Sequence, residues 1–223
     1  MSKILVIAPH PNDEVLGCGG SIARWKNEGV SVHVLLMADG EGSRDGTDLQ
    51  SIQDRSTAAV FANGVLGTDS LQLLNMPDNR LDGLDLLDVV KLIERYVTQI
   101  RPDTILTHHP GDVNIDHRIV HDAVIATCRP QPGFPVRELL FFETPSSTEW
   151  RPPTSCEPFV PNYFVDISDT LDKKLDALEA YGDELREFPH PRSIQAVEAL
   201  ARWRGATVGV LAAEAFVLGR SII

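Results

Sequence analysis

His10, Asn12, Asp13 and Glu14 fall within five positions, and a second cluster, "HHPGDVNIDHRIV" at 108–120, offers His108, His109, Asp112, Asp116 and His117. An imidazole nitrogen and a carboxylate oxygen are ordinary zinc ligands, but two ligands do not close a site. His10, Asp13 and His117 together would make a His2Asp set with one position left for water. Catalytic zinc sites are built that way, whereas structural ones are usually closed by four protein ligands. Asp116, beside His117, is placed to orient an imidazole from outside the ligand set. A lone histidine at a strand end is commonly just a hydrogen-bonded loop residue. Two such clusters at two strand ends are harder to explain that way, and the reading taken is one Zn2+ per chain.

These residues need elements that bring them together. "KILVIA" (3–8) is a short, nearly continuous apolar run, the mark of a strand covered on both faces. "SVHVLLMA" (31–38), "LQLLN" (71–75), "DTILTHH" (103–109), "ELLFFE" (138–143) and "YFVDI" (163–167) read the same way. Between them, Leu86, Val89, Val90, Ile93, Val97 and Ile100 recur at helical steps, giving one apolar face. Residues 14–27, 48–63, 117–128, 169–186 and 192–203 also read as helices. The alternation implies a single α/β domain over 1–223, with a Rossmann-like, doubly wound, mostly parallel sheet and helices on both faces. Ligands in such folds bind beyond the carboxyl ends of the strands, and His10 and the 108–117 cluster follow two of them. The proline-rich stretches "RPQPGFPV" and "WRPPTSCEPFVP" read as loops around the 138–143 strand, bordering the site.

The glycine run "GCGG" (17–20) lacks the G-x-G-x-x-G order of a dinucleotide fingerprint, and no G-K-[ST] of a phosphate loop follows. It falls inside the expected helix, where close packing on the sheet explains it better.

Of the 223 residues, 32 are acidic and 20 basic, a formal charge of −12. Such a surface repels nucleic acid and anionic lipid, so neither is expected as a partner. No apolar stretch is long enough to span a membrane, and the amino-terminal residues lack a secretory pattern. Cys18, Cys128 and Cys156 are odd in number and widely spaced, which fits a reducing, cytoplasmic setting. A homo-oligomer is compatible with the composition.

"APHPNDEVLGCGGSI" (8–22) resembles the A-H-P-D-D-E signature of the PIG-L/LmbE family of zinc-dependent N-acetylglucosaminyl de-N-acetylases. "HPGDVNIDHRIV" resembles that family's second signature, D-x-H-x-D-H-R, and "MPDNRLD" (76–82) its P-D-G-x-L segment. The resemblance spans 3–128 and, more loosely, "AEAF" (213–216). It implies metal-assisted removal of an N-acetyl group from an amino sugar or sugar conjugate, with the ligands at His10, Asp13 and His117. It also implies a substrate-contacting arginine at Arg55 in "QDRSTAA" and a sugar-hydroxyl acceptor at Asp78. In the carboxyl-terminal part, His190 and Arg192 in "EFPHPRS", with Arg202 and Arg204 in "ARWRG", are candidates to meet an anionic group on the substrate.

Two positions depart from the family pattern. The general base is the first aspartate of D-D-E, and here it is Asn12, whose amide cannot accept a proton from water at neutral pH. Asn114 stands where many members carry a histidine; its NH2 can still donate to a developing oxyanion. Asn12 has three explanations: an introduced aspartate-to-asparagine exchange, loss of hydrolysis with binding retained, or another base among Asp112, Asp116 and Glu14. A non-catalytic zinc- or sugar-binding module of the same fold is the rival reading, and a nucleotide-binding Rossmann protein a distant third.

Overall fold

The apolar run at 3–8 becomes β1 (Lys3–Ala8), an interior strand of a seven-stranded sheet, in a computed structural model that describes residues 2–223. Ile4, Val6 and Ala8 enter one hydrophobic core, and Leu5 and Ile7 enter another on the opposite face. Both faces are covered, so an unbroken apolar sequence is what this strand requires.

β2 (Ser31–Ala38), β3 (Ser70–Met76), β4 (Thr104–His108) and β5 (Glu138–Phe142) join β1 in parallel. β6 (Tyr163–Asp166) and β7 (Ala213–Ser221) add an antiparallel edge, giving the order β3-β2-β1-β4-β5-β7-β6. Helices α1 (Asp13–Asn27), α2 (Leu49–Leu66), α5 (Leu171–Glu179) and α6 (Ile194–Ala206) contribute to the core on one face. α3 (Leu86–Ile100) and α4 (Ile115–Thr127) contribute to the other. The doubly wound, mostly parallel architecture is the one the sequence implies. Among the described residues, no helix is long and apolar enough to cross a membrane.

Two elements differ from expectation. β7 does not read as a strand, because Glu214, Gly219 and Arg220 interrupt its apolar pattern. The helix expected over 169–186 stops at Glu179 and ends in a short 3-10 turn, Gly182–Glu184.

The glycine run has the packing role. A Cβ at Gly17 would lie 2.3 Å from the Phe142 ring, and one at Gly20 would lie 2.7 Å from Ile167. Between them α1 kinks at Cys18, whose φ of −150° is not helical. Glu214 accepts the backbone N–H groups of Gly20 (3.0 Å) and Ser21 (2.7 Å). Lys174 reaches the carbonyl of Leu16 (2.8 Å) and Glu214 itself (2.5 Å). A buried ion pair thus satisfies backbone groups that the kink releases.

Candidate metal centre and active site

β1 and β4 are neighbours whose connections leave towards opposite edges of the sheet. That is the switch point at which open α/β sheets form a crevice. His10 follows β1, Asp13 opens α1, His108 ends β4, and His117 lies in the first turn of α4. Residues far apart in sequence therefore meet at one carboxyl edge.

The meeting point is Asp13 Oδ2. It lies 3.3 Å from His10 Nδ1, 3.4 Å from His117 Nε2 and 3.3 Å from His108 Nε2. Two donors held at about 2.0–2.2 Å by one tetrahedral zinc stand about 3.4 Å apart, so this spacing suits a shared ion. The His10 and His117 rings have centres 5.4 Å apart, near the value of about 5 Å for two imidazoles on such an ion. His10, Asp13 and His117 fit a metal.

Each histidine has an outer partner. His10 Nε2 lies 3.1 Å from both Asp116 Oδ2 and Asp78 Oδ1. His117 Nδ1 lies 3.1 Å from Asp112 Oδ2. A carboxylate on the far nitrogen fixes the tautomer and raises ligand basicity. Asp112 is itself held by Ser147 (2.5 Å) and Thr148 (2.8 Å).

The electrostatics reflect this crowding. Burial works against a charge on His117, but Asp13 and Asp112 outweigh it and lift the imidazole to about 9. Burial also opposes the charge on His10, yet Asp116, Asp13 and Asp78 hold it well above its ordinary value. His108 goes the other way: burial and the charge of His117 take it down to about 4. Against their burial, Asp112 is held at about 2 chiefly by His117, and Asp78 at about 2 by His10 and Ser43. A metal taking His10 and His117 must displace protons.

The family model for GlcNAc-PI de-N-acetylase, PIG-L, matches residues 5–128, over half of the chain and inclusive of His10, Asp13 and His117. The chain belongs to the PIG-L family. It is 34% identical over 149 residues to the uncharacterized deacetylase YaiS of Escherichia coli (strain K12), covering 65% of this chain and 75% of that protein. It is 28% identical over 201 residues to the diacetylchitobiose deacetylase of Thermococcus kodakarensis, covering 84% and 72% respectively. The crystal structure of the conserved protein TT1542 from Thermus thermophilus matches with a TM-score of 0.81 at 28% identity, over 100% of this chain and 97% of that one.

In this PIG-L family member the cleft beside the cluster has a volume of about 210 Å3. His10, Asn12, Asp13, Asn114 and His117 line it, as do Arg55, Asp78 and Arg192. Asn12 caps α1 with φ 107°, a conformation asparagine tolerates better than most residues. Its backbone N–H donates to Glu14 Oε2 at 3.0 Å.

Several expectations change. Asp116 orients an imidazole as expected, that of His10 and not of its neighbour His117, and also accepts the N–H groups of Asn79 (2.7 Å) and Leu81 (2.9 Å). Asp116, Asp112 and Glu14 are fully buried and none lines the cleft. Burial raises Glu14 to about 7, and its oxygens serve Tyr181 (2.6 Å), Asn63 (3.0 Å) and Asn12. None of these three carboxylates is on the cleft wall where the Asn12 side chain is. Asn114 caps α4 by accepting the N–H of Asp116 (2.8 Å) and gives one amide N–H to Asn79 (2.9 Å), so only its second N–H is uncommitted.

Arg55 is buried and already engaged by Glu41 (2.8 Å) and Glu184. Glu184 also binds Arg44 (2.6 Å) and Arg192 (2.8 Å), a cluster of three guanidiniums around two carboxylates. His190 stands outside the cleft lining; its Nδ1 accepts the Arg192 N–H (3.1 Å) and its ring meets Trp150 edge-on. Arg204 pairs with Glu143 (2.7 Å) and Arg202 with Glu198 (2.8 Å). Sequence reasoning missed Ser43, Arg44, Asn79, Thr144, Ser147 and Glu184. Asn79 lies inside a segment already singled out and Ser147 between two of them, whereas the Arg44–Glu184 pair, 140 residues apart, leaves no periodic trace.

Proposed function

We propose that this protein is a zinc-dependent amide hydrolase that removes an N-acetyl group from an amino sugar or sugar conjugate, with Asn12 in the general-base position. The observation carrying it is the spacing of His10 Nδ1, Asp13 Oδ2 and His117 Nε2 at the cleft wall. Zinc in such a set lowers the pKa of water and polarises a carbonyl.

The chain's own residues supply the rest. Asp112 and Asp116 hold the two imidazoles in orientation. The free N–H of Asn114 donates to the carbonyl oxygen as charge develops on it. Asp78, with Ser43 and Asn79 beside it, accepts a sugar hydroxyl. Arg44 and Arg192, at the rim with Arg55 behind them, meet a polar or anionic extension of the sugar. Asn12 orients a water by hydrogen bonding but takes no proton from it, so turnover is slow. Positioned acid–base catalysis is worth about 10²–10⁴-fold. Asn12→Asp therefore raises zinc-dependent acetate release by about that factor across a panel of N-acetyl sugars; negligible release from both proteins across the panel contradicts the proposal.

A second reading, a zinc- or sugar-binding module without turnover, is favoured by Asn12 and by the burial of Asp112, Asp116 and Glu14 away from the cleft. It predicts tight sugar binding and no acetate from either protein.

A further inference from the structure

His108 is fully buried, and its Nε2 makes no hydrogen bond although it faces Asp13 Oδ2 at 3.3 Å. A buried ring nitrogen left without a partner needs an explanation. Ligation alongside His117 is one, and His108, Asp112 and His117 do cluster closely, but the ring spacing argues against it. Their centres are 3.8 Å apart, well short of the spacing of about 5 Å for two imidazoles on one tetrahedral ion. His10 and His117, at 5.4 Å, meet that requirement.

The other nitrogen indicates what His108 does instead. Thr144 Oγ1 lies 3.1 Å from His108 Nδ1 and has no other hydrogen-bond partner among the described residues. The Thr144 hydroxyl is placed to donate its proton to Nδ1. A neutral ring that accepts there carries its own proton on Nε2, which lies 3.3 Å from Asp13 Oδ2. Once His10 and His117 give their facing nitrogens to a metal, Asp13 Oδ2 keeps the His10 backbone N–H at 3.0 Å, and His108 Nε2, 3.3 Å away, needs only a small shift of the carboxylate to bond to it.

We propose that His108 is a positioning residue of the metal centre: with its tautomer set by Thr144, it donates a hydrogen bond that fixes the Asp13 carboxylate without itself binding the ion. This rests on the metal reading of His10, Asp13 and His117. Outer-shell partners of this kind are typically worth about 10–100-fold in metal affinity.

The test is zinc affinity by competition with a chromophoric chelator, with zinc X-ray absorption on the loaded proteins. His108→Phe weakens binding by about 10–100-fold, and Thr144→Val weakens it less. His108→Gln, whose amide can place an N–H near the position of Nε2, recovers most of the loss and covers the case in which the phenylalanine variant misfolds. The absorption spectrum shows two imidazoles in both the unaltered protein and His108→Phe. Unchanged affinity in a folded His108→Phe protein overturns the role, as does a third imidazole that disappears with His108. If the unaltered protein takes up no zinc, the metal centre itself fails and this role with it, whereas normal uptake with an indifferent His108 overturns only the role.

Discussion

Helix α1 borders two clusters of buried charge, and they are built differently. At its middle, Glu214 and Lys174 are matched to each other and to the backbone groups the kink releases. At its start, three imidazoles converge on one oxygen of Asp13, His108 Nε2 has no hydrogen bond, and His10 and His117 hold protons well above the ordinary range. The first cluster is matched within the chain. The second is not, which is what the proposed metal centre accounts for. Burial of charge alone therefore does not mark a functional site. Competition of several ligand atoms for one point, beside an open cleft, does.

The matched cluster should fail through stability. Lys174→Met leaves Glu214 buried without its cation, and breaking a buried pair costs about 3–5 kcal/mol. Urea unfolding should show that loss, while the folded fraction binds zinc as before; a shift in zinc affinity would mean the two clusters are coupled. Gly17→Ala tests the packing between them. Its Cβ would meet Phe142 at 2.3 Å, and overpacking of this kind costs about 1–3 kcal/mol, again by urea unfolding.

The convergent cluster should respond to pH. His117 is held at about 9 against an ordinary 6.5, so in the metal-free protein its stabilisation is full below pH 6.5 and is lost as pH rises through 9. Metal binding needs the deprotonated ring, so zinc affinity rises through the same window, by up to about 1.4 kcal/mol per pH unit for each proton displaced. Opposite slopes of metal-free stability and of zinc affinity between pH 6.5 and 9 are expected; parallel slopes would remove His117 from the ligand set. The smallest effect belongs to neither cluster. The exposed Arg202–Glu198 pair is a surface helix contact worth about 0.3–0.5 kcal/mol, and Arg202→Ala should leave both zinc affinity and acetate release unchanged.

The same contrast explains what could be read in the sequence. β1 was readable because both its faces are apolar, and α3 because one face is. His10, Asp13 and His117 were readable because ligand residue types follow two strand ends. β7 was not, because Glu214 turns from the strand to serve α1, and Gly219 is needed where a Cβ would lie 2.5 Å from Phe141. The imidazole that Asp116 orients is legible only in space: a helix turns successive side chains apart, so the ring is that of His10 and not of its sequence neighbour His117. The Arg44–Glu184–Arg55 wall and the Thr144–His108 contact arise from long-range packing, which local patterns do not encode.

The most direct measurement is elemental analysis of the purified protein beside His10→Ala, Asp13→Ala, His117→Ala and Lys174→Met. One zinc per chain is expected in the unaltered protein and in Lys174→Met, and little in the three cluster variants. Zinc retained in all three cluster variants, or absent from the unaltered protein after incubation with the ion, would contradict a metal centre at the mouth of α1.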